Sequence, residues 1–411
     1  MMNLNFRSYL THPASLAGLL RAGLVAGNLA VLLALAWLLG LDGFGELIVL
    51  WGLVLVASAL LGCGGPLHIL ARLGDGGGMH PHALFRLCLG LPALAAVAAG
   101  FALHQVWPGL PWAAVLTLAL AVNLASCLAS ALRALGSLHL SMALRDGAPL
   151  LALGLAGLTR AEAPLILWLA AAGLGVICAW VAWLIWRHGA RADLIAEGRP
   201  AAAVSLNLWA VAVLGMVLTQ VDIVLGGQLL TPEQIGIYAL LRRLANLVAL
   251  PMSVATWVSA GQISAAHAAS DLPALQSASD AGARIALLPG LGLAALCLLA
   301  LPLLVWWQPA LPVPVLLVLL AGTILQLAFA QGMSVATLTG RGDLAAGARL
   351  AGLLTYVAAM LLAAPRDPMG NALAYVLGTS LCSAMLWLWL WRGTGVNTLA
   401  LQGRARPWRM S

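Results

Sequence analysis

Three charged side chains, Asp222, Arg242 and Arg243, stand well inside apolar runs. A charge there costs roughly 2.5–3.5 kcal/mol on insertion scales, so each needs a partner or a purpose. Arginine suits an anionic group, because its planar fork makes two hydrogen bonds at once and keeps its proton. Arg243 shares a helical face with Asn246, three residues on, which predicts a polar stripe. Two readings stay open: Arg242 and Arg243 line a wet, cationic cavity, or they form a structural ion pair with Asp222 or snorkel to an interface. Asp222 in turn can pair with an arginine, hold a coupling cation or carry a proton. Arg21 with Asn28, and Arg145 beside Asp146, stand at the beginnings of apolar runs. Each set either guards the entrance of such a cavity or anchors a helix end. Two polar stripes complete the candidates: Asn123, Ser126, Ser130 and Arg133, and Thr323, Gln326, Ser334 and Thr337. Hydroxyls and amides on one helical face line a cavity or bond neighbouring helices.

Other patterns carry no chemistry. The stretch GDGGG at 74–78 lacks the Lys-Ser/Thr of a phosphate loop and reads as a turn. His80 and His82 have no third ligand near them in sequence, so no metal is expected. No nucleophile-elbow pattern surrounds any serine, which leaves hydrolase chemistry unsupported. Cys63, Cys88, Cys127, Cys178, Cys297 and Cys382 all lie in apolar runs without CxxC spacing and read as small hydrophobes.

The elements that must position these residues are membrane helices. Of 411 residues, 63% are hydrophobic and 8% charged, and mean hydropathy is +1.00. A water-facing surface cannot be built from that composition, but a lipid-facing one can. The net charge of +7 does not indicate nucleic acid, because the arginines are scattered singly and lysine is absent. Punctuation by Gly, Pro and charge predicts about twelve spans, at 20–40, 47–68, 84–104, 112–133, 142–159, 164–186, 203–226, 233–256, 284–306, 312–336, 345–363 and 370–391. The longest hydrophilic stretches are 187–202 and 257–283, and no extramembrane domain is expected. On this reading one set of loops holds Arg7, Arg21, Arg72, Arg86, Arg133, Arg145, Arg187, Arg191, Arg199, Arg284, Arg341 and Arg349, and the tail adds Arg392, Arg404, Arg406 and Arg409. The opposite loops hold only Arg160 and Arg366. Positive loops stay cytoplasmic, which predicts both termini inside. Trp107, Trp112, Trp306 and Trp307 then flank the outer ends and Trp183, Trp186, Trp387, Trp389 and Trp391 the inner ends, as interfacial anchors do.

The two halves echo each other. Asp42-x-Phe44-Gly45 corresponds to Glu233-x-Ile235-Gly236, Gly136 and Arg145 to Gly340 and Arg349, and Ser130 to Ser334. These matches predict six helices duplicated in parallel, with a substrate path between the halves. The expected organisation is a six-helix lobe over 1–190, a cytoplasmic linker over 191–202, a second six-helix lobe over 203–392 and a basic tail over 393–411.

The stretch TQVDIVLGGQLLTPEQIGIYALLRRLANLVALP at 219–251 resembles the seventh and eighth helices of Wzx-type polysaccharide flippases, in the multidrug/oligosaccharidyl-lipid/polysaccharide (MOP) exporter superfamily. The matching elements are Asp222 through Gly226, then Pro232-Glu233-x-Ile235-Gly236-x-Tyr238, then Arg243. The segments at 131–147, 264–294 and 336–350 are similar to that family's helix 4–5 turn, cytoplasmic linker with ninth helix, and helix 10–11 turn. The resemblance implies a MOP/MATE-like all-α fold of two lobes related by a pseudo-twofold repeat. It implies alternating access that moves undecaprenyl-pyrophosphate-linked oligosaccharide across the bacterial inner membrane for O-antigen, capsule or exopolysaccharide synthesis. The partners implied are the lipid-linked oligosaccharide, membrane lipids and polysaccharide polymerase machinery. No cofactor is implied beyond a coupling proton or sodium ion. Arg243, Arg242, Arg21, Arg145, Asn28, Asn123, Ser130 and Gln326 are the expected contacts of pyrophosphate and sugar, with Asp222 as coupling group or ion-pair partner. A drug or lipid exporter of the same superfamily is the alternative. A membrane polymerase or ligase fits less well, since the outer loops are short and nearly uncharged.

Overall fold

The computed structural model describes residues 13–66, 68–69, 86–187, 206–307, 311–363 and 367–400. The 74–78 glycine turn, His80, His82, the 191–202 linker, the tail beyond 400, and Arg7, Arg72, Arg191, Arg199, Arg366, Arg404, Arg406 and Arg409 lie outside them. Every regular element among the described residues is helical. Eight helices are long and apolar enough to cross a membrane, or up to ten when each of two bent pairs counts as one span. Their outer surface is apolar: Trp37 and Trp306 are each 79% exposed and Leu362 85%. Such a surface is stable only against lipid.

The division between helices departs from the expected one in places with clear local causes. Pro13–Leu61 runs as one helical element, but Gly40 at φ 73° and ψ 168° breaks it. A straight helix over Leu20–Leu61 would be about 63 Å long, twice the ~30 Å hydrocarbon thickness, so the break at Gly40 is needed. The expected span at 142–159 starts earlier, at Leu138, and passes through a π-helical insertion at Ala143–Gly147 before continuing to Gly157. The hydrophilic stretch at 257–283 is helical nearly throughout, because Leu250–Ala268 and Leu272–Trp307 extend into it. The spans expected at 233–256 and 312–336 are bent pairs, Pro232–Leu247 with Leu250–Ala268 at 47° and Val313–Ala328 with Gly332–Leu338 at 44°.

The chain divides into two compact units, at Met216 and Val217 within the helix Leu206–Val224. In the first unit Trp112–Ala134 is the central helix, buried along most of its length. The first helix packs onto Ala148–Gly157 through small residues: Val31 Cγ1 would lie 2.7 Å from a Cβ on Gly154, and Leu35 would overlap one on Gly157. Close approach through glycine is how membrane helices gain dispersion contacts where burial from water gives them nothing. In the second unit Gly342–Ala363 and Pro368–Thr394 cross in the same way, since a Cβ on Gly352 would come within 2.6 Å of the Gly378 carbonyl oxygen, and the reverse also holds.

The residues matched between the halves share local structure. Gly136 and Gly340 both adopt left-handed backbone, at φ 80° and 73°. Both close the same helix-ending turn: the Ser137 amide donates to the Leu132 carbonyl at 2.8 Å, and the Arg341 amide to the Ala336 carbonyl at 2.8 Å. Phe44, Gly45, Leu47 and Ile48 are buried after an exposed Asp42; Ile235, Gly236, Tyr238 and Ala239 are buried after an exposed Glu233.

Candidate functional site

In the second unit the polar residues of the 219–251 stretch gather around one carboxylate. Thr231 starts the helix Pro232–Leu247 with a capping box: its hydroxyl accepts from the Gln234 amide at 3.3 Å, and the Gln234 side chain accepts from the Thr231 amide at 3.1 Å. Pro232 at the first helical position fits the missing hydrogen bond there. This start sets the phase of the helix, so that Tyr238 and Arg242, four residues apart, face the helix Leu206–Val224. Asp222 is fully buried there, and the Tyr238 hydroxyl donates to its Oδ2 at 2.7 Å. Arg242 Nε lies 2.6 Å from the same oxygen, and Nη2 donates to the Thr219 carbonyl at 2.6 Å. The guanidinium stacks 4.3 Å from the centre of the Tyr375 ring. Asn371 reaches in from Pro368–Thr394, donating to the Asp222 carbonyl at 3.0 Å, while the Tyr356 hydroxyl donates to Asn371 Oδ1 at 2.7 Å.

Arg242 is 3% exposed, so its charge is matched by a carboxylate, a carbonyl and an aromatic face. Arg243, one residue on, is half-buried. Among the described residues it makes no ion pair and no hydrogen bond, and the Asp222 carboxylate is already taken by Arg242. The neighbouring arginines therefore differ in kind: one is locked into the helix packing, and the other has no ion-pair partner among the described residues.

In the first unit, Arg21 Nη1 donates to Asp146 Oδ2 at 2.8 Å and Arg145 Nε to Oδ1 at 3.0 Å. Asn28 Nδ2 donates to the Asp146 backbone carbonyl at 2.9 Å. The two sets, with Asn28 and Asp146 118 residues apart in the sequence, are thus one cluster on the π-helical insertion Ala143–Gly147. Insertions of this kind free a carbonyl from the helix ladder, and here Asn28 takes up one such group.

The remaining candidates make contacts inside their own unit. Asn123 is 2% exposed and donates to the Cys88 carbonyl at 3.2 Å. Gln326 donates to the Thr379 hydroxyl at 3.0 Å, and Ser334 to the Thr256 hydroxyl at 3.2 Å. Ser130 is half-buried. Sequence reasoning missed Thr219, Tyr356, Asn371 and Tyr375. A signal existed: the chain has four tyrosines, and Tyr238, Tyr356 and Tyr375 all converge on this network, with Tyr9 outside the described residues.

No protein-family model and no curated protein sequence matches the chain. Solved structures do match in fold. A MATE transporter in complex with MaL6 superposes with a TM-score of 0.67 at 14% identity, over 93% of this chain and 96% of that one. The MATE multidrug transporter DinF-BH gives 0.66 at 16% identity, over 96% of each chain. A MOP superfamily transporter from Pyrococcus furiosus, described as having a binding pocket of reversed polarity, gives 0.60 at 15% identity, over 91% of this chain and 90% of that one. The chain is a multi-pass helical protein with the fold of MATE transporters of the MOP superfamily.

Proposed function

We propose that this protein is a flippase for an anionic lipid-linked oligosaccharide, of the undecaprenyl-pyrophosphate type, working by alternating access in the bacterial inner membrane. The observation that carries the reading is Arg243, a half-buried cation on a membrane helix that makes no ion pair among the described residues, where the Asp222 carboxylate pairs with Arg242. An uncompensated charge is costly in a span unless a ligand supplies the counter-ion. A pyrophosphate does so, and arginine binds it with two bonds at once. Arg21, Arg145 and Asn28 are further proposed contacts of pyrophosphate, and Asn123, Ser130 and Gln326 are proposed contacts of sugar. Asp222 serves as the ion-pair partner that fixes Arg242. A proton or sodium ion drives the cycle, and the glycan then passes to polymerase machinery for O-antigen, capsule or exopolysaccharide assembly.

The same reading has twelve crossings in two six-helix lobes related by a parallel repeat, with both termini in the cytoplasm. What supports the count is that the break at Gly40 separates two crossings, each bent pair makes one, and Leu138–Gly157 adds another. The matched turns at Gly136 and Gly340 support the repeat. Arginine asymmetry supports the orientation.

The alternative is an exporter of drugs or other lipids on the same fold. A cationic drug calls for an unmatched buried carboxylate, yet Asp222, the one buried carboxylate among the described residues, is matched by Arg242. A membrane polymerase or ligase gains no support from a fold shared with transporters. The test is complementation of a deletion strain by Arg243→Ala and Arg243→Lys. We expect Ala to lose surface glycan and Lys to restore only part of it, and full activity of both would overturn the anion role.

A further inference from the structure

The second unit contains two bent helix pairs, and only one of the bends is accounted for by its own sequence. Between Pro232–Leu247 and Leu250–Ala268 the chain carries Pro251, which has no amide hydrogen to give to the preceding turn. Between Val313–Ala328 and Gly332–Leu338 the chain bends by 44°, yet residues 315–338 include no proline and no left-handed backbone. Phe329 at φ −110° and ψ 19° and Gln331 at φ −90° and ψ −11° lie a short rotation from helical values. A kink of this size without proline needs some other group inserted into the hydrogen-bond ladder.

The inserted group comes from Gly395–Ala400, which leaves the end of Pro368–Thr394 through the left-handed Gly395. In a continuous helix the Ala328 carbonyl would accept from the Gly332 amide, four residues on. Here the Ala400 amide donates to that carbonyl at 2.9 Å, and the Gly332 amide turns to the Phe329 carbonyl at 3.0 Å. The segment is seated firmly enough to compete. Val396, Asn397 and Thr398 are buried, although irregular backbone normally lies at the surface. Gln276, on Leu272–Trp307, clasps Asn397 twice: its Nε2 donates to the Asn397 carbonyl at 2.7 Å, and its Oε1 accepts from the Asn397 amide at 2.8 Å. The Asn397 side-chain oxygen accepts from Trp387 Nε1 at 2.8 Å and from the Leu399 amide at 3.0 Å.

The seat also holds polar groups that favour release. Thr398 Oγ1 and Gln331 Nε2 are buried and make no hydrogen bond among the described residues. Both flank the break: Thr398 Oγ1 is 3.5 Å from where a Cβ on Gly332 would stand. Water reaching an opened seat would bind both groups, so opening is favoured by hydration as closure is favoured by the clasp.

We propose that Gly395–Ala400 is a releasable strap that sets the shape of Val313–Leu338. Seated, it holds the bend. Released, it leaves the Ala328 carbonyl to the Gly332 amide, and the two arms join into one straighter helix. Strap and helix compete for one carbonyl, so the equilibrium of one biases the other. A role for this movement in alternating access rests on the transporter reading above; the strap itself does not.

Hydrogen–deuterium exchange of the purified full-length protein in detergent, resolved by peptide mass spectrometry, tests the strap. Ala400→Pro removes the amide hydrogen that holds the Ala328 carbonyl. Peptides covering 396–400 should then exchange at least tenfold faster, and peptides covering 329–335 at least threefold slower, because Gly332 gains its helical bond. Asn397→Ala, which keeps the Ala400 amide but loses the bonds to Trp387 and Leu399, should move both segments the same way. Thr398→Val replaces an unbonded buried hydroxyl by a methyl of the same shape and should slow exchange over 396–400 at least threefold. Faster exchange in both segments of Ala400→Pro or Asn397→Ala would mean general loosening and overturn the proposal. So would unchanged exchange over 329–335 in those variants, or unchanged or faster strap exchange in Thr398→Val. Precursor trapping reads the cargo, so failure of the flippase reading would leave these exchange results as they are.

Discussion

Arg242 and Arg243 are adjacent in sequence and alike in chemistry, yet their removal should have different consequences. Replacing Arg242 by Gln strands Asp222, which is fully buried, without its counter-charge. It also removes the bond to the Thr219 carbonyl and the stack on Tyr375. Breaking one side of a buried ion pair costs about 3–5 kcal/mol, and the lost bond and stack are parts of the same interaction rather than additions to it. For a cooperative unit of 150–250 residues each kcal/mol shifts the melting temperature by roughly 2–4 °C, so Arg242→Gln should lower it by about 6–20 °C. Arg243→Gln removes a charge that has no ion-pair partner among the described residues and should shift it by no more than about 2 °C. The double variant Asp222→Asn with Arg242→Gln removes both charges and should recover about half of the loss. The assay is thermal unfolding of detergent-purified protein followed by size-exclusion chromatography of the surviving fraction. Equal stability of Arg242→Gln and the native protein would refute the locked ion pair, and an equally large loss in Arg243→Gln would refute the distinction between the two arginines.

Thr231→Ala removes the capping box of Pro232–Leu247 and should cost about 1 kcal/mol, seen as a fall of roughly 2–4 °C in the same assay. Gly352→Leu places a side chain against the Gly378 carbonyl, 2.6 Å from its Cβ, and should abolish the monodisperse peak, whereas Gly173→Leu, beside open space, should keep it. Gly136→Ala and Gly340→Ala both force an L-residue into left-handed backbone and should each cost about 1–2 kcal/mol, equal within error because the two turns share one geometry.

Much of the fold is legible because lipid imposes a simple rule on sequence: apolar runs of fixed length, separated by arginine and glycine. The helix start at Thr231-Pro232-Glu233-Gln234 is visible because capping is a local matter of four residues. The pairing of Gly136 with Gly340 is visible for a similar reason, since a left-handed turn selects glycine wherever it occurs. Leu138–Met142 escapes notice because the π-helical insertion puts Arg145 and Asp146 inside a span, where they read as its boundary. The network around Asp222 is only half legible. Tyr238 and Arg242 lie within about twenty residues of it, but Asn371 is 149 residues away and no local pattern ties an asparagine to a distant backbone carbonyl. Arg21 and Asp146 stand apart in the sequence for the same reason, and only packing of the first helix on the small residues of Ala148–Gly157 brings them together.

In the proposed cycle a pyrophosphate-linked glycan moves between leaflets with its anion held on Arg243. The measurement closest to it is the leaflet position of undecaprenyl-pyrophosphate-linked repeat units in a strain whose only copy carries Arg243→Ala. The variant should reach the membrane in normal amount, and the lipid-linked units should accumulate on the cytoplasmic side while surface glycan falls. Normal surface glycan with no trapped precursor would contradict it.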